Sequence, residues 1–228
     1  MQPHEFWQRI EAPGTLDVTP SHAYSARFDD GRVLLLPIRP LAHGEHALAS
    51  LILNQASFDV VEAIAADLAE KLQEYLPEVI VGLPTLGLTL ASAVARKLGH
   101  SRYVPLGTSR KFWYREELSV PLTSITTPEH TKRLYLDPRM ANLLPDRRVA
   151  LIDDVVSSGA SMAAALELMR MCGVEPAVLG AAMLQSDRWI DRLGVPWTGR
   201  IVAVLKTPIL SKSEGGRWID PALPGMTP

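Results

Sequence analysis

The chain has 228 residues, of which 47% are hydrophobic and 21% are charged, and its formal net charge is −2. A chain of this length can bury a full core, and single domains of this size are common among α/β proteins. The charge is nearly balanced and forms no long run of one sign, which argues against a nucleic-acid partner or a membrane surface. No apolar stretch approaches the roughly 20 residues that span a bilayer, and the polar N-terminus is unlike a signal peptide, so we expect a cytoplasmic protein.

The cysteine and histidine content argues against a protein held by disulfide bonds and against a metal site built from histidines. The one cysteine, Cys172, cannot form an internal disulfide, and it lies near the end of an apolar helical pattern, which predicts a buried thiol. The six histidines show no metal-ligand spacing.

The first hundred residues predict a hairpin followed by alternating helices and strands. Residues 23–28 and 33–37 flank the turn-forming cluster at 29–32, which predicts a hairpin. Ser57 is placed to cap a helix whose apolar residues recur at helical spacing. A short buried strand is predicted at residues 79–81, then a loop, a helix that ends at Gly99, and a strand at 103–106.

Residues 107–137, called the lid segment below, differ in character because basic, acidic and aromatic side chains are interspersed there. Long polar excursions inside compact domains are usually functional lids or disordered segments. Apolar residues at 120–126 and 134–136 predict two strands, so the excursion has the pattern of a hairpin.

The second half of the chain alternates short apolar strands with helices. Strands are predicted at residues 149–152, 177–184 and 201–205, a helix at 161–171 with Gly173 as its stop, and a loose tail at 211–228. This alternation predicts a Rossmann-like α/β fold, a parallel sheet covered on both faces by helices. Ligands of such sheets bind outside the carboxyl ends of the strands.

The most informative motif begins where the strand at 149–152 ends. Two adjacent carboxylates, Asp153 and Asp154, are followed by a loop of small and hydroxyl-bearing residues and then by a helix. Carboxylates accept hydrogen bonds from sugar hydroxyls, while loop amides and the positive end of a helix dipole receive a phosphate. Gly159 allows the backbone to turn sharply and to approach phosphate oxygens. The pattern is typical of a site for a phosphorylated sugar.

The whole run from Val149 to Ser161 resembles the phosphoribosyl-diphosphate (PRPP) signature of type I phosphoribosyltransferases. The alternative is an ordinary strand-to-helix turn in which Asp154 and Ser157 are only caps. The resemblance implies the type I phosphoribosyltransferase fold, with an N-terminal hood segment at 1–50, a core domain at 51–210 and a C-terminal tail at 211–228. The flexible lid hairpin and the hood would cover the site. It also implies a homodimer that uses PRPP, a nucleobase and Mg²⁺.

In that family the acidic pair, here Asp153 and Asp154, holds the ribose with Mg²⁺ on or near it. The 5-phosphate is then expected in the loop that follows, called the serine loop here, which comprises Val155, Val156, Ser157, Ser158, Gly159, Ala160 and Ser161.

A second loop, called the glycine loop here, comprises Gly82, Leu83, Pro84, Thr85, Leu86 and Gly87. It has the outer glycine spacing of a P-loop, but Leu88 stands where that motif needs lysine, and it is not a dinucleotide-binding G-x-G-x-x-G. The resemblance implies that its backbone amides hold the diphosphate. A plain structural turn is the alternative.

Arg110 and Lys111 of the lid segment occupy the place of a basic catalytic loop in the family. Their charges would stabilise the departing diphosphate, and a closed loop would keep water from the ribose cation. The alternative is a solvated charged surface. The neighbouring Phe112, Trp113 and Tyr114 either stack on a base or pack at a dimer interface.

The acceptor is less well specified. Ser157 stands where hypoxanthine-guanine enzymes typically have an aspartate, and the acids are Asp-Asp rather than Glu-Asp, which resembles the adenine, xanthine and orotate enzymes. Gln185 and Arg188 follow a strand where relatives place base contacts, although a surface salt bridge is the alternative for Arg188. We therefore expect purine salvage of the adenine/xanthine type. The alternatives are orotate or another pyrimidine as acceptor, and a non-catalytic regulatory protein that senses PRPP or nucleotides.

Overall fold

The computed structural model describes residues 2–14, 22–42, 44–122 and 132–221. The strands are β1 (Ile10–Glu11), β2 (Ala23–Arg27), β3 (Val33–Pro40), β4 (His46–Ala49), β5 (Val79–Gly82), β6 (Val104–Pro105), β7 (Ser119–Leu122), β8 (Lys132–Tyr135), β9 (Val149–Val156), β10 (Val178–Gln185), β11 (Ile201–Thr207), β12 (Ile209–Lys212) and β13 (Trp218–Ile219). The helices are α1 (Phe58–Gln73), α2 (Gly87–Lys97), α3 (Pro138–Ala141), α4 (Ala160–Met171) and α5 (Arg188–Leu193).

The centre of the molecule is a parallel sheet in the order β11-β10-β9-β5-β6. Ile152 of β9 lies opposite Gly82 of β5 on one side and opposite Gly180 of β10 on the other. The carboxyl ends of these three strands therefore lie side by side, and the loops that follow them meet at one edge. The predicted α/β fold with a parallel sheet is confirmed.

Both faces of this sheet are buried, as the alternating side chains of β9 show. Ala150 and Ile152 pack into a core cluster with α1 and α2, whereas Val149 and Leu151 pack into a second cluster with α4. This alternation follows from the two-residue period of a strand, and burial on both faces explains the continuous apolar run.

Helix α1 begins as predicted. The Ser57 hydroxyl oxygen accepts a hydrogen bond from the backbone N–H of Val60 at 3.2 Å, so the predicted cap is confirmed. The predicted helix stop at Gly173 is also confirmed, because this residue has a φ of +71°.

The strand that carries the acidic pair is longer than predicted. It was expected to end at residue 152, but β9 continues to Val156 and includes both aspartates. The reason is its neighbour β10, which stays paired with β9 along this stretch, with Ala181 opposite Asp153 and Met183 opposite Val155. The ladder hydrogen bonds stabilise an extended backbone where local composition indicated a loop.

The N- and C-terminal segments form a second, antiparallel sheet, called the hood sheet below. Strands β2 and β3 pair from Ala23 opposite Pro37 to Arg27 opposite Val33, which confirms the predicted hairpin. The sheet order is β1-β3-β4-β12-β13, with β2 also on β3. The tail prediction is wrong for residues 211–212 and 218–219, which are strand, because β4 offers β12 an open edge. Residues 222–228 of that tail lie outside the described residues.

In the lid segment, β7 and β8 form the predicted antiparallel pair, with Val120 opposite Leu134. The predicted strand at 120–126 is present as Ser119–Leu122, and its remainder lies outside the described residues. Val120, Leu134 and Leu136 belong to the same core cluster as Met162 and Ala165 of α4. This strand pair is thus anchored on the core, and the largely exposed residues 108–117, called the exposed part of the lid segment below, precede it.

Candidate active site

The acidic pair lies at the carboxyl end of β9, between β5 and β10. Asp153 is only 6% exposed, and its Oδ1 accepts a hydrogen bond from the Asp154 backbone N–H at 2.9 Å. Asp154 is partly exposed. One carboxylate is thus held rigidly inside the sheet edge, and the next reaches the surface.

The surroundings of these acids oppose their ionisation. Burial raises the pKa of the Asp153 carboxyl well above its ordinary value, and the charge of Asp154 adds to this effect. Burial also raises the pKa of Asp154. A ligand that brings positive charge or hydroxyl donors to the pair would favour the ionised carboxylates, so its binding would be coupled to proton release.

The serine loop follows the acids directly and lines a cavity of about 130 Å³ together with Asp153. Gly159 is the N-cap of α4 and has a φ of +75°, a left-handed backbone that favours glycine. A Cβ at this position would also lie 3.3 Å from Trp189. The cavity therefore combines a carboxylate with the N-terminus of a twelve-residue helix, as the sequence pattern predicted.

The glycine loop lies beside the same acids. The backbone N–H of Leu83 donates to the carbonyl of Ile152 at 2.8 Å, and the peptide bond between Pro84 and Thr85 is cis. A Cβ on Gly87, the first residue of α2, would stand 2.8 Å from both the Cα and the Oδ1 of Asp153. Helix α2 can begin against the acidic pair only because this residue has no side chain.

The structure does not bring the predicted lid cations to the acids. Arg110 is exposed and pairs with Glu116 at 3.6 Å, and Glu116 also accepts from Arg133 at 3.0 Å. Lys111 is exposed as well. Across the described ranges, neither cation hydrogen bonds or ion pairs with the acidic pair, the serine loop or the glycine loop. Next to them, Phe112 is 97% exposed, and the Trp113 indole N–H donates to Asp137 at 3.2 Å.

The two predicted base contacts, Gln185 and Arg188, lie at the carboxyl end of β10. Gln185 is 5% exposed, and its Nε2 donates to the carbonyl of Ala49 in the hood sheet at 2.9 Å. Arg188 Nη2 donates to the Ser157 hydroxyl of the serine loop at 2.9 Å. Their roles as base contacts stay predictions.

A second cavity of about 380 Å³ adjoins this strand end, between the hood sheet and the ends of β10 and β11. Its lining includes Tyr24, Ser186, Asp187, Trp189 and Lys206. The buried Trp189 Nε1 has no hydrogen-bond partner in the part of the chain that the structure describes. The cavity volume falls in the usual range for small-molecule sites, roughly 300–1,000 Å³.

Sequence reasoning missed the Gly87–Asp153 and Arg188–Ser157 contacts and the second cavity. The adjacency of β9 and β10 was a usable signal for the arginine contact, because loops after neighbouring parallel strands meet at one edge. The cavity involves Tyr24, which lies far from β10 in sequence, so no local pattern indicated it.

A divalent metal would find few protein ligands here. Residues 2–14, 22–42, 44–122 and 132–221 contain no group of three or more His, Cys, Asp or Glu side chains that could hold one. Two carboxylates nevertheless fit Mg²⁺, which is usually bound through one or two carboxylates together with substrate phosphates and water.

None of the described helices is long and apolar enough to cross a membrane.

Comparison with known proteins agrees with this geometry. The family model of the phosphoribosyl transferase domain matches residues 49–202, more than half of the chain, so the chain belongs to the phosphoribosyltransferase family. It is 29% identical over 146 residues to the orotate phosphoribosyltransferase of Caldanaerobacter subterraneus, covering 64% of each chain. It is 34% identical over 129 residues to the adenine phosphoribosyltransferase of Corynebacterium efficiens, covering 55% of this chain and 61% of that one.

The chain thus matches less than two thirds of the length of either of these two relatives. Among solved structures, the adenine phosphoribosyltransferase of Giardia lamblia complexed with 9-deazaadenine superposes with a TM-score of 0.59. It is 19% identical, and the superposition covers 75% of this chain and 93% of that one. At this identity the likeness supports the fold alone.

Proposed function

We propose that the protein transfers the 5-phosphoribosyl group from PRPP to a nucleobase nitrogen and releases diphosphate, in purine salvage of the adenine/xanthine type. A bond forms between the base nitrogen and C1 of the ribose, and the bond from C1 to the diphosphate oxygen breaks with its electron pair. The nitrogen's proton leaves to solvent. The observation that carries this proposal is the packing of the acidic pair against both loops at one sheet edge.

The acidic pair would bind the ribose. Asp153 is fixed by the sheet and by the Asp154 N–H, and Asp154 is open to a ligand. Together they can accept hydrogen bonds from the two ribose hydroxyls. As C1 becomes cationic, the nearby carboxylate charge stabilises the transition state more than the ground state.

The serine loop would receive the 5-phosphate. Its cavity ends at the N-terminus of α4, where backbone N–H groups lack helical partners and the helix dipole favours an anion. Glycine at position 159 allows the turn that presents these amides.

The glycine loop would hold the diphosphate, since Gly87 brings the start of α2 within van der Waals distance of Asp153. Mg²⁺ bound near the acidic pair would offset the diphosphate charge. Arg110 and Lys111 would then add positive charge, provided the exposed part of the lid segment moves over the site.

Diphosphate release tests the proposal. The protein is mixed with PRPP, Mg²⁺ and each of a panel of bases, and we expect release with at least one purine. Asp154→Asn should lower turnover at least about 100-fold, because it removes a charge that faces the developing cation, while the fold is retained. Normal turnover in this variant would contradict the assignment, and PRPP binding without turnover on any base would favour a sensor.

We also propose a homodimer. Phe112 and Trp113 are 97% and 43% exposed, and aromatic side chains are enriched at protein interfaces. Light scattering should give twice the chain mass, and Phe112→Ser with Trp113→Ser should shift the protein toward monomer. A monomeric wild-type protein would contradict this proposal.

A further inference from the structure

A third cavity, called the amino-edge cavity here, lies at the opposite end of the central sheet from the acidic pair. Its volume is about 300 Å³. The lining includes Val79 and Val104, the first residues of β5 and β6, so the cavity adjoins the amino ends of these two strands. Polar side chains also line it, and they include Glu78, His100, Ser101, Arg102, Asn142 and Arg147.

The amino-edge cavity is separate from the proposed active site. Val79 lies opposite Val149 of β9, and Asp153 follows Val149 by four residues. An extended strand rises about 3.3 Å per residue, so about 13 Å of strand separates this cavity from the acidic pair. A ligand bound here would therefore not contact the acids or the serine loop.

Positive charge exceeds negative charge in this cavity. Glu78 is the only acid among the described lining residues, and two arginines share its carboxylate. Its Oε1 accepts from Arg147 Nη1 at 3.1 Å, and its Oε2 accepts from the Arg148 backbone N–H at 3.0 Å and lies 3.3 Å from Arg148 Nη1. These hydrogen bonds lower the pKa of Glu78 below its ordinary value. No acid of the lining is left to neutralise Arg102.

Several hydrogen-bond donors of the lining have no partner in the protein. Within the described ranges, the side chains of Ser101, Arg102 and Asn142 form no hydrogen bond or ion pair. Arg147 uses one nitrogen for Glu78, which leaves its other N–H groups to a ligand. A guanidinium has five N–H donors and no acceptor, and an amide and a hydroxyl add further donors. This set suits an anion with several acceptor oxygens.

We propose that the amino-edge cavity is a second binding site, which takes a small phosphate-bearing molecule. The guanidinium groups of Arg102 and Arg147 present planar forks that match phosphate oxygens, and the excess positive charge favours a dianion. The volume is at the lower end of the range for small-molecule sites, so a phosphorylated sugar would fill the cavity better than phosphate alone. Ser101 and Asn142 can bond to its hydroxyl groups.

A titration followed by backbone amide NMR signals tests this site without requiring activity. The probes are inorganic phosphate and ribose 5-phosphate, and sodium chloride keeps the ionic strength constant so that screening does not change. We expect the amide signals of residues 100–103 to shift with a Kd of about 1 mM or tighter. Tighter binding of ribose 5-phosphate would identify a phosphorylated sugar as the ligand, and equal affinity would identify free phosphate.

Arg102→Gln should weaken this binding about 10-fold or more, because a hydrogen bond to a charged group is lost. The signals of residues 155–161 should respond to the probes as they do in the wild type. Arg192→Gln is the matched control, since Arg192 is exposed, lines none of the three cavities and forms no ion pair among the described residues. Its affinity should equal that of the wild type, and thermal unfolding should show that both variants fold.

Two results would overturn the second site. One is the absence of any shift at residues 100–103 with about 10 mM probe, a concentration that fills roughly 90% of a 1 mM site. The other is equal affinity in Arg102→Gln and Arg192→Gln. Both results would leave the proposed function intact, because the acidic pair and the serine loop lie at the other edge of the sheet.

Discussion

The loops around the acidic pair and the exposed part of the lid segment differ in how their side chains are held. Asp153 is 6% exposed and touches the start of α2, whereas the Arg110 side chain is 61% exposed and, among the residues that the structure describes, forms an ion pair only with Glu116. The groups that would bind PRPP are therefore preformed, while those that would stabilise the leaving diphosphate await a movement. Binding and chemistry should accordingly respond differently to mutation in the two regions.

Among the variants that test this difference, Arg110→Gln, in the exposed part of the lid segment, should have the largest effect. We expect turnover to fall about 100-fold, the usual effect of losing one transition-state donor. Stability should hardly change, since an exposed pair contributes about 0–1 kcal/mol. Steady-state kinetics and thermal unfolding measure the two effects.

Arg96→Gln is the matched control for this variant. It removes an exposed pair with Glu62 of similar length, 3.5 Å, at the far end of α2. Equal kinetics in the two variants would mean that Arg110 belongs to a solvated surface.

In the loops around the acidic pair, Gly87→Ala should destabilise the fold by about 1–3 kcal/mol, as overpacking usually does. It should also weaken PRPP binding. Its Cβ would meet the Asp153 backbone, which cannot rotate away as a flexible side chain can. Chemical denaturation and calorimetry would measure both effects.

For this variant, Gly107→Ala provides the comparison, because a Cβ there meets nothing within 4 Å. If Gly87→Ala were as stable as Gly107→Ala, the close packing of α2 on the acidic pair would not hold.

Asp153→Asn should have a smaller effect, on the melting temperature, and this effect should depend on pH. The folded-state pKa of Asp153 is raised by burial, so the neutral carboxyl stabilises the fold below the unfolded-state pKa of about 3.9, and this stability is lost as pH rises through the folded pKa. The asparagine variant cannot ionise. Its melting temperature should match that of the wild type in acid and exceed it near pH 7.

The exposed Asp191 of α5 supplies the control, because Asp191→Asn removes a charge outside the core. A constant difference between Asp153→Asn and the wild type across the pH range would contradict the expected effect of burial.

Local patterns were enough to predict much of the fold. The cap at Ser57, the hairpin of β2 and β3 and the order of strands and helices depend on neighbouring residues, and the sequence therefore contains their signals. The motif at 153–161 likewise predicted a cavity at the end of β9, because strand, turn and helix are contiguous there.

The features that were not predicted depend on partners distant in sequence. The extension of β9 requires β10, the strand character of residues 211–212 requires β4, and Arg188 reaches Ser157 across 31 positions. The proposed contact of Arg110 with a substrate would require a change of conformation, which neither spacing nor composition specifies.

The pairing of β4 with β12 has a consequence for engineering. Residues 46–48 and 209–211 pair in one sheet, so the hood sheet is assembled from segments near both ends of the chain. Grafting the hood sheet onto a related scaffold would therefore require two separate transplants that pair correctly, and a cut after Thr207 would leave β4 without its partner strand β12.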